Sequence, residues 1–251
     1  MTEVIRMDNL SLWRRTQEEF SYDLKKTILS LLEGKFRKPA KKQVLKDVDL
    51  VIYEGEKIGI IGSNGAGKST LLKVISGILE PTAGTVRVRG SIAPLIELGA
   101  GFDPELSLVD NIVMYGVMLG FSRREMKTRV DEILDFAELQ DYRFAPVKSL
   151  SSGMTARLGF AIATDVHPDI LILDEVLAVG DENFKNKCQQ RMDKFWEQHT
   201  TVLVVSHSMD FIKQSCDRVV WLDRGTVKFI GPADEAIQHY FEQTLTKSLE
   251  S

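Results

Sequence analysis

Gly62-Ser63-Asn64-Gly65-Ala66-Gly67-Lys68-Ser69-Thr70 has the spacing G-x-x-x-x-G-K-[ST] and follows the apolar run Lys57-Ile58-Gly59-Ile60-Ile61. A chain of phosphates carries several negative charges. A loop can hold it only by turning backbone N–H groups inward with no side chain in the way, which is why glycines recur at this spacing. The helix expected after the loop adds its free N-terminal amides. Lys68 adds a point charge suited to the β- and γ-phosphates, and the Ser69 hydroxyl can ligate Mg²⁺. Two further apolar runs end in reactive residues: Asp169-Ile170-Leu171-Ile172-Leu173 in Asp174-Glu175, and Thr201-Val202-Leu203-Val204-Val205-Ser206 in His207. Open parallel sheets bind ligands outside the carboxyl ends of their strands. Asp174 therefore reads as a Mg²⁺ carboxylate near Ser69, Glu175 as the base that orients an attacking water, and His207 as a hydrogen-bond partner of the γ-phosphate.

Positioning these residues requires a sheet and its helices. Residues 3–13 and 44–53 have partly alternating, β-leaning patterns and predict antiparallel strands. Between them, apolar residues at 20, 24, 28, 31 and 32 form one stripe of a helix over 20–34, with Gly34 as its stop and a basic tail at Lys35, Arg37, Lys38, Lys41 and Lys42. The helix after the phosphate loop is expected to end at Gly77, with Pro81 beyond it. Thr85 to Gly90 alternates like a half-exposed strand, and Ser91 to Gly101 is an apolar run ending in glycines. From Leu106 to Val166 the pattern is helical. Ser122 with Glu125 predicts a capping box for a helix reaching about Leu139, and a second helix starts near Ser151. The unbroken runs at 169–173 and 201–206 suit parallel strands covered on both faces. A hairpin about Asp223-Arg224-Gly225 precedes a last helix opened by Pro232.

With 43% hydrophobic and 27% charged residues over 251 positions, the composition is that of a globular chain able to bury a full core. A net charge of −4 argues against broad nucleic-acid affinity. Cys188 and Cys216 show no metal-ligand spacing and read as reduced thiols of a cytosolic protein. No signal-peptide pattern opens the sequence, and no apolar run reaches the length of a membrane span, so any membrane role is expected to be peripheral.

Leu150-Ser151-Ser152-Gly153-Met154, 24 positions before Asp174 and at the start of a helix, resembles the LSGGQ signature of ABC transporter nucleotide-binding subunits. The resemblance implies an α/β fold: a P-loop NTPase core over 1–101 and 167–251, an antiparallel β subdomain, and an inserted helical subdomain over 102–166. It implies a homodimer in which the phosphate loop of one subunit and Ser151, Ser152 and Gly153 of the other grip each ATP. A helix N-terminus with Ser and Gly amides suits a γ-phosphate. Ser152 for glycine and Met154 for glutamine are departures that leave the Ser151 hydroxyl and the Gly153 amide in place. Ala178-Val179-Gly180-Asp181 resembles the segment after the catalytic glutamate that touches the partner subunit, which implies Asp181 as its carboxylate at the nucleotide site. Where the family has a Mg²⁺-contacting glutamine, this sequence reads Leu95-Ile96-Glu97-Leu98-Gly99-Ala100-Gly101-Phe102, so Glu97 is the nearest polar candidate. The family's adenine-stacking aromatic maps best to Trp13, then Tyr22.

The 20–34 insertion and the LELGAGF-like stretch resemble the branch that exports lipid-linked polysaccharides such as O-antigen, capsule or teichoic-acid precursors. Some members of that branch carry a C-terminal sugar-binding β-domain; a chain of 251 residues is expected to leave glycan recognition elsewhere. The expected function is ATP hydrolysis that drives a separate transmembrane permease from the cytoplasmic face of the inner membrane. An apolar stripe beside a basic tail suits the surface of an anionic leaflet, and packing of the stripe on the sheet is the alternative. Two rival readings stand beside it. One is an ABC-type ATPase acting on another substrate or on nucleic acid or ribosomes; the other is a scaffold that binds ATP without turning it over.

Overall fold

The computed structural model describes residues 2–15, 41–96, 98–165, 167–174 and 181–249. The helix expected at 20–34, Tyr22, Glu97, Glu175 and Ala178-Val179-Gly180 lie outside the described residues.

Two antiparallel strands open the fold, β1 (Glu3–Arg15) and β2 (Lys41–Tyr53), paired from Glu3 opposite Tyr53 to Arg15 opposite Lys41. Their alternation is interrupted because the pair carries bulges. Asn9 and Asp47 have positive φ, the register shifts around them, and Leu10 and Leu45 turn inward with Met7, Val48, Leu50 and Ile52. Side chains take up the backbone groups that the bulges leave over. The Ser11 hydroxyl accepts from the Asp47 N–H at 2.9 Å, and Asp49 accepts from the Asn9 N–H at 2.7 Å.

The remaining strands are β3 (Lys57–Ile61), β4 (Ala83–Val88), β5 (Ile92–Leu95), β6 (Ile170–Asp174), β7 (Thr201–Val205), β8 (Arg218–Asp223) and β9 (Thr226–Pro232). β4 joins the first pair in a three-stranded sheet ordered β2-β1-β4. The others form a six-stranded sheet ordered β5-β6-β7-β3-β8-β9, parallel except for β9.

Successive side chains of a strand face opposite sides of its sheet, so a strand buried on both sides must be apolar throughout. Here Ile58, Ile60, Ile170, Ile172, Leu203, Val205, Val220 and Leu222 face a core shared with the three-stranded sheet and with Leu71, Leu72, Val74 and Ile75 of helix α1 (Lys68–Ile75). Ile61, Leu171, Leu173, Val202, Val204, Val219 and Trp221 face the other side. There they meet Phe184, Cys188, Met192 and Phe195 of the helix at Glu182–Glu197 and Ala233, Ala236 and Ile237 of the helix at Ala233–Leu249.

α1 ends as expected. Gly77 has φ 71°, its N–H donates to the Val74 carbonyl at 3.1 Å, and the Ile78 N–H reaches back to Lys73 at 2.9 Å. Three helices, α2 (Leu108–Met118), α3 (Arg123–Ala137) and α4 (Ser152–Asp165), pack on a core of their own that includes Leu108, Ile112, Met126, Ile133, Leu134, Leu158 and Ile162. Only half of the expected capping box forms. Ser122 accepts from the Glu125 N–H, while the Glu125 carboxylate turns to Arg129 one turn on. α3 stops at Ala137, short of Leu139, because Glu138 enters the left-handed region (φ 61°) and Leu139 folds in as a buried residue.

The helices that follow are α5 (Glu182–Glu197), α6 (Met209–Ser215) and α7 (Ala233–Leu249). Among the described residues no helix is long and apolar enough to cross a membrane.

Lys57 closes the end of the central strand farthest from the phosphate loop. It is 8% exposed, and its ammonium donates to the carbonyls of Phe195 and Gln198 at 3.0 Å each and to that of Thr200. These carbonyls lie at and just beyond the end of α5, where a helix leaves acceptors unpaired. Burial holds the Lys57 pKa below its ordinary value, against a smaller opposing pull from Asp217. Lys57→Met removes the donor from three acceptors and should lower stability by about 1–3 kcal/mol, read from the urea midpoint at constant slope. Cys188 and Cys216 are both free and buried, and burial pushes their thiols up to about 11 and about 12. Neither should be alkylated by iodoacetamide at neutral pH in the folded chain, and both should be once urea unfolds it, as mass spectrometry would show.

Candidate functional site

The parallel register sets the strand ends side by side. Ile60 of β3 pairs with Val205 of β7, and Val205 pairs with Asp174 of β6, so one row across the sheet leads to the phosphate loop, to His207 and to the Asp174 carboxylate. Adjacent strands lie about 4.8 Å apart, so three segments distant in sequence meet within the reach of one small ligand. They surround a cavity of about 740 Å³ lined by Asn64, Gly65, Gly67, Lys68, Ser69, Thr70, Asp174 and His207. That volume lies within the range of about 300–1,000 Å³ usual for small-molecule sites.

The loop's glycines answer to two different constraints. Gly62 has φ 150°, and a Cβ there would sit 2.1 Å from the Leu222 carbonyl oxygen, so β8 itself forbids a side chain. Gly67 has φ 108° and stands at the N-cap of α1 with no side-chain hydrogen bond, which leaves the first amides of the helix facing the cavity. Lys68 is buried. Its ammonium donates to the carbonyls of Gly62 at 2.8 Å and Ser63 at 3.2 Å, which fixes the charge at the mouth of the loop.

Gly62, Ser63 and Ala66 support the site from behind the lining. The first two hold Lys68, and Ala66 is buried with its carbonyl accepting from Gly225. The Ser69 hydroxyl and the Asp174 carboxylate line the same cavity, a pair of hard oxygen donors of the kind Mg²⁺ takes while keeping most of its waters.

Other residues singled out in the sequence are not among the lining of this cavity. Trp13 stands in β1 opposite Gln43, 46% exposed, and does not line it. Ser151, Ser152 and Gly153 are exposed at the start of α4. There the Ser151 hydroxyl accepts from the Met154 N–H at 3.3 Å, and Met154 packs on the three-helix core.

Asp181 caps α5, accepting from the Phe184 N–H at 3.0 Å, and pairs with Arg157 of α4 at 2.6 Å. The cap and the guanidinium together hold its carboxyl below the usual range. Arg157 also pairs with Glu138 at 3.0 Å and lies 4.7 Å from the centroid of the Phe184 ring, tying the three-helix layer to the helix that follows the Asp174 strand.

Sequence reasoning missed Lys42, Gln43, Val44 and Arg224, which complete the cavity wall. Lys42 was legible only as part of a basic tail. Arg224 sits in a turn the hairpin pattern located without saying what the turn would face.

The pattern of the ABC transporter family matches residues 45–178, just over half of the chain. The chain is 42% identical over 245 residues to the O-antigen export system ATP-binding protein RfbB of Myxococcus xanthus, which covers 96% of this chain and 56% of that protein. It thus spans about half the length of that relative. It is 41% identical over 215 residues to the O-antigen export system ATP-binding protein RfbB of Klebsiella pneumoniae, covering 86% of this chain and 85% of that one. Its fold matches that of an ATP-binding cassette solved as a dimer in a post-hydrolysis state with ADP and Pi, with a TM-score of 0.67 and 24% identity over 91% of this chain and 98% of the other. Family pattern, a relative covered over most of its length, and fold agree: this chain belongs to the ABC transporter family, as an ATP-binding cassette.

Proposed function

We propose that this chain is the ATP-hydrolysing subunit of an exporter. It dimerises on ATP and drives a separate transmembrane permease that moves a lipid-linked polysaccharide across the cytoplasmic membrane. The observation that carries the reading is the row of strand ends that gathers Lys68, Ser69, Asp174 and His207 around one cavity, while Ser151, Ser152 and Gly153 lie exposed on a different layer. The two halves of a phosphate clamp are carried by separate patches of one chain, so a second copy related by a two-fold axis would complete two sites.

In that arrangement the loop amides and Lys68 bind the β- and γ-phosphates, and the Ser151 helix start of the second copy meets the γ-phosphate from the far side. Ser69 and Asp174 are the residues that would hold Mg²⁺, which when bound neutralises charge on the phosphate chain. Glu175, one residue past the end of β6, orients a water in line with the γ-phosphorus and takes its proton. The water oxygen bonds to phosphorus as the bond to the ADP oxygen breaks, giving ADP and inorganic phosphate. His207 donates a ring N–H to a γ-phosphate oxygen and so registers its loss.

Asp181 acts through Arg157, tying the Ser151 helix to the start of α5. The relatives' names, which speak of O-antigen export, support the polysaccharide as cargo. The export-system names of the relatives support a place for the subunit on the cytoplasmic face, against its permease.

Lys68→Ala should weaken ATP binding by about 10- to 100-fold, the worth of charge-assisted bonds to phosphate, measured by titration calorimetry. Glu175→Gln should bind Mg-ATP as the parent does but release no phosphate, and should accumulate as a dimer on size exclusion. A variant that stays monomeric under saturating Mg-ATP would remove Glu175 from the role assigned to it.

A further inference from the structure

The cavity has a wall that none of the sequence motifs accounts for. β8 and β9 are joined by the two-residue turn Arg224-Gly225, with φ 49° and 80°. Positive φ at both central positions defines the hairpin turn that favours Asn, Asp or Gly, because a longer side chain on the first of them costs about 1 kcal/mol or more. Arg224 is an exception to that preference, and no local bond compensates it. Among the described residues its guanidinium has no ion-pair or hydrogen-bond partner.

Nor can the turn relax away from the site. The Gly225 N–H donates to the Ala66 carbonyl of the phosphate loop at 2.8 Å, and the Gly225 carbonyl accepts from the Lys46 N–H of β2 at 2.8 Å. A Cβ on Gly225 would lie 2.3 Å from the Val44 carbonyl oxygen, so the turn is clamped between the loop and β2. The arginine so held lines the same cavity as Lys42, Lys68 and Asp174, which makes three cations against one described carboxylate. Residues kept in unfavourable backbone regions cluster at functional sites.

We propose that Arg224 is a phosphate-contacting residue for the nucleotide held by its own chain, and that it distinguishes nucleotides by the charge of their phosphate chain. The inference rests on the reading of this cavity as the ATP site. A guanidinium presents a planar fork of donors that matches two phosphate oxygens at once, and its attraction grows with the number of charges within reach. Because it stands on a turn bonded to Ala66, its contact is made from a position fixed relative to the loop amides.

The test is a titration of ATP, ADP and AMP into the parent chain, Arg224→Gly, Arg224→Lys and Lys68→Ala, at low and at moderate salt. Glycine is the residue the turn geometry prefers, so Arg224→Gly should melt no lower than the parent, and loss of fold cannot explain a loss of binding. Arg224→Gly should weaken ATP about 5- to 20-fold, ADP less and AMP hardly at all, with a shallower salt dependence; Arg224→Lys should recover part of the loss. If Arg224→Gly binds ATP as the parent does while Lys68→Ala does not, the inference falls and the ATP site stands. An equal loss for all three nucleotides would also overturn it, since the contact would then be to base or ribose. If Lys68→Ala binds ATP unchanged, the reading of the cavity itself fails.

Discussion

The structure depends on one constraint: a parallel sheet covered on both faces has polar chemistry to offer only at its strand ends, and ligands gather at the carboxyl ends. β3, β6, β7 and β8 bury alternate apolar side chains into two cores, so charged groups such as Lys57 and Asp174 stand only at strand ends. The carboxyl ends are where chains leave the sheet, and the register Ile60–Val205–Asp174 makes three departures simultaneous. A slip of one residue in any of these strands would send its apolar set to the wrong core and withdraw its functional residue from the row. Packing and site geometry are therefore one requirement.

The phosphate loop shows how closely the two are joined. Its first glycine is needed because the Leu222 carbonyl of β8 lies where a Cβ would be, and its alanine carbonyl is held by the turn that follows β8. The loop is braced by a strand more than 150 residues away in sequence. Bracing matters for binding anions, because amides already aimed at a ligand lose little freedom when it arrives. The hairpin after β8 is thus part of the site's support.

Between the sheet and the three-helix layer apolar and polar ties run together, since Phe160 and Ala163 of α4 lie in the core that the sheet shares with α5. Arg157 pairs with Asp181 and Glu138 and lies over Phe184, and Lys187 holds the Glu138 carboxyl below its usual range. Such partly exposed pairs each contribute little to stability and are weakened by salt. They add orientation to that apolar contact in a layer carrying the Ser151 helix start that, in the proposed dimer, must meet a second copy.

Much of this was legible in the residues alone. The phosphate-loop spacing, the unbroken runs of the parallel strands, the Ser122 and Gly77 helix ends and the hairpin about Arg224-Gly225 are local signals, and local sterics and hydrogen bonding decide them. The family resemblance drawn from Leu150–Met154 together with Asp174-Glu175 likewise needed only sequence. The tertiary structure decided what depends on approach between distant segments. It showed that Asp174, His207 and the loop share one cavity, that Lys42, Val44 and Arg224 complete its wall, and that Trp13 stands outside the wall. It also showed that Asp181 is engaged by Arg157. Side-chain type and spacing determine which element forms; which elements face one another follows from sheet order and register, and those exist only once the hydrophobic faces of the whole chain are buried together.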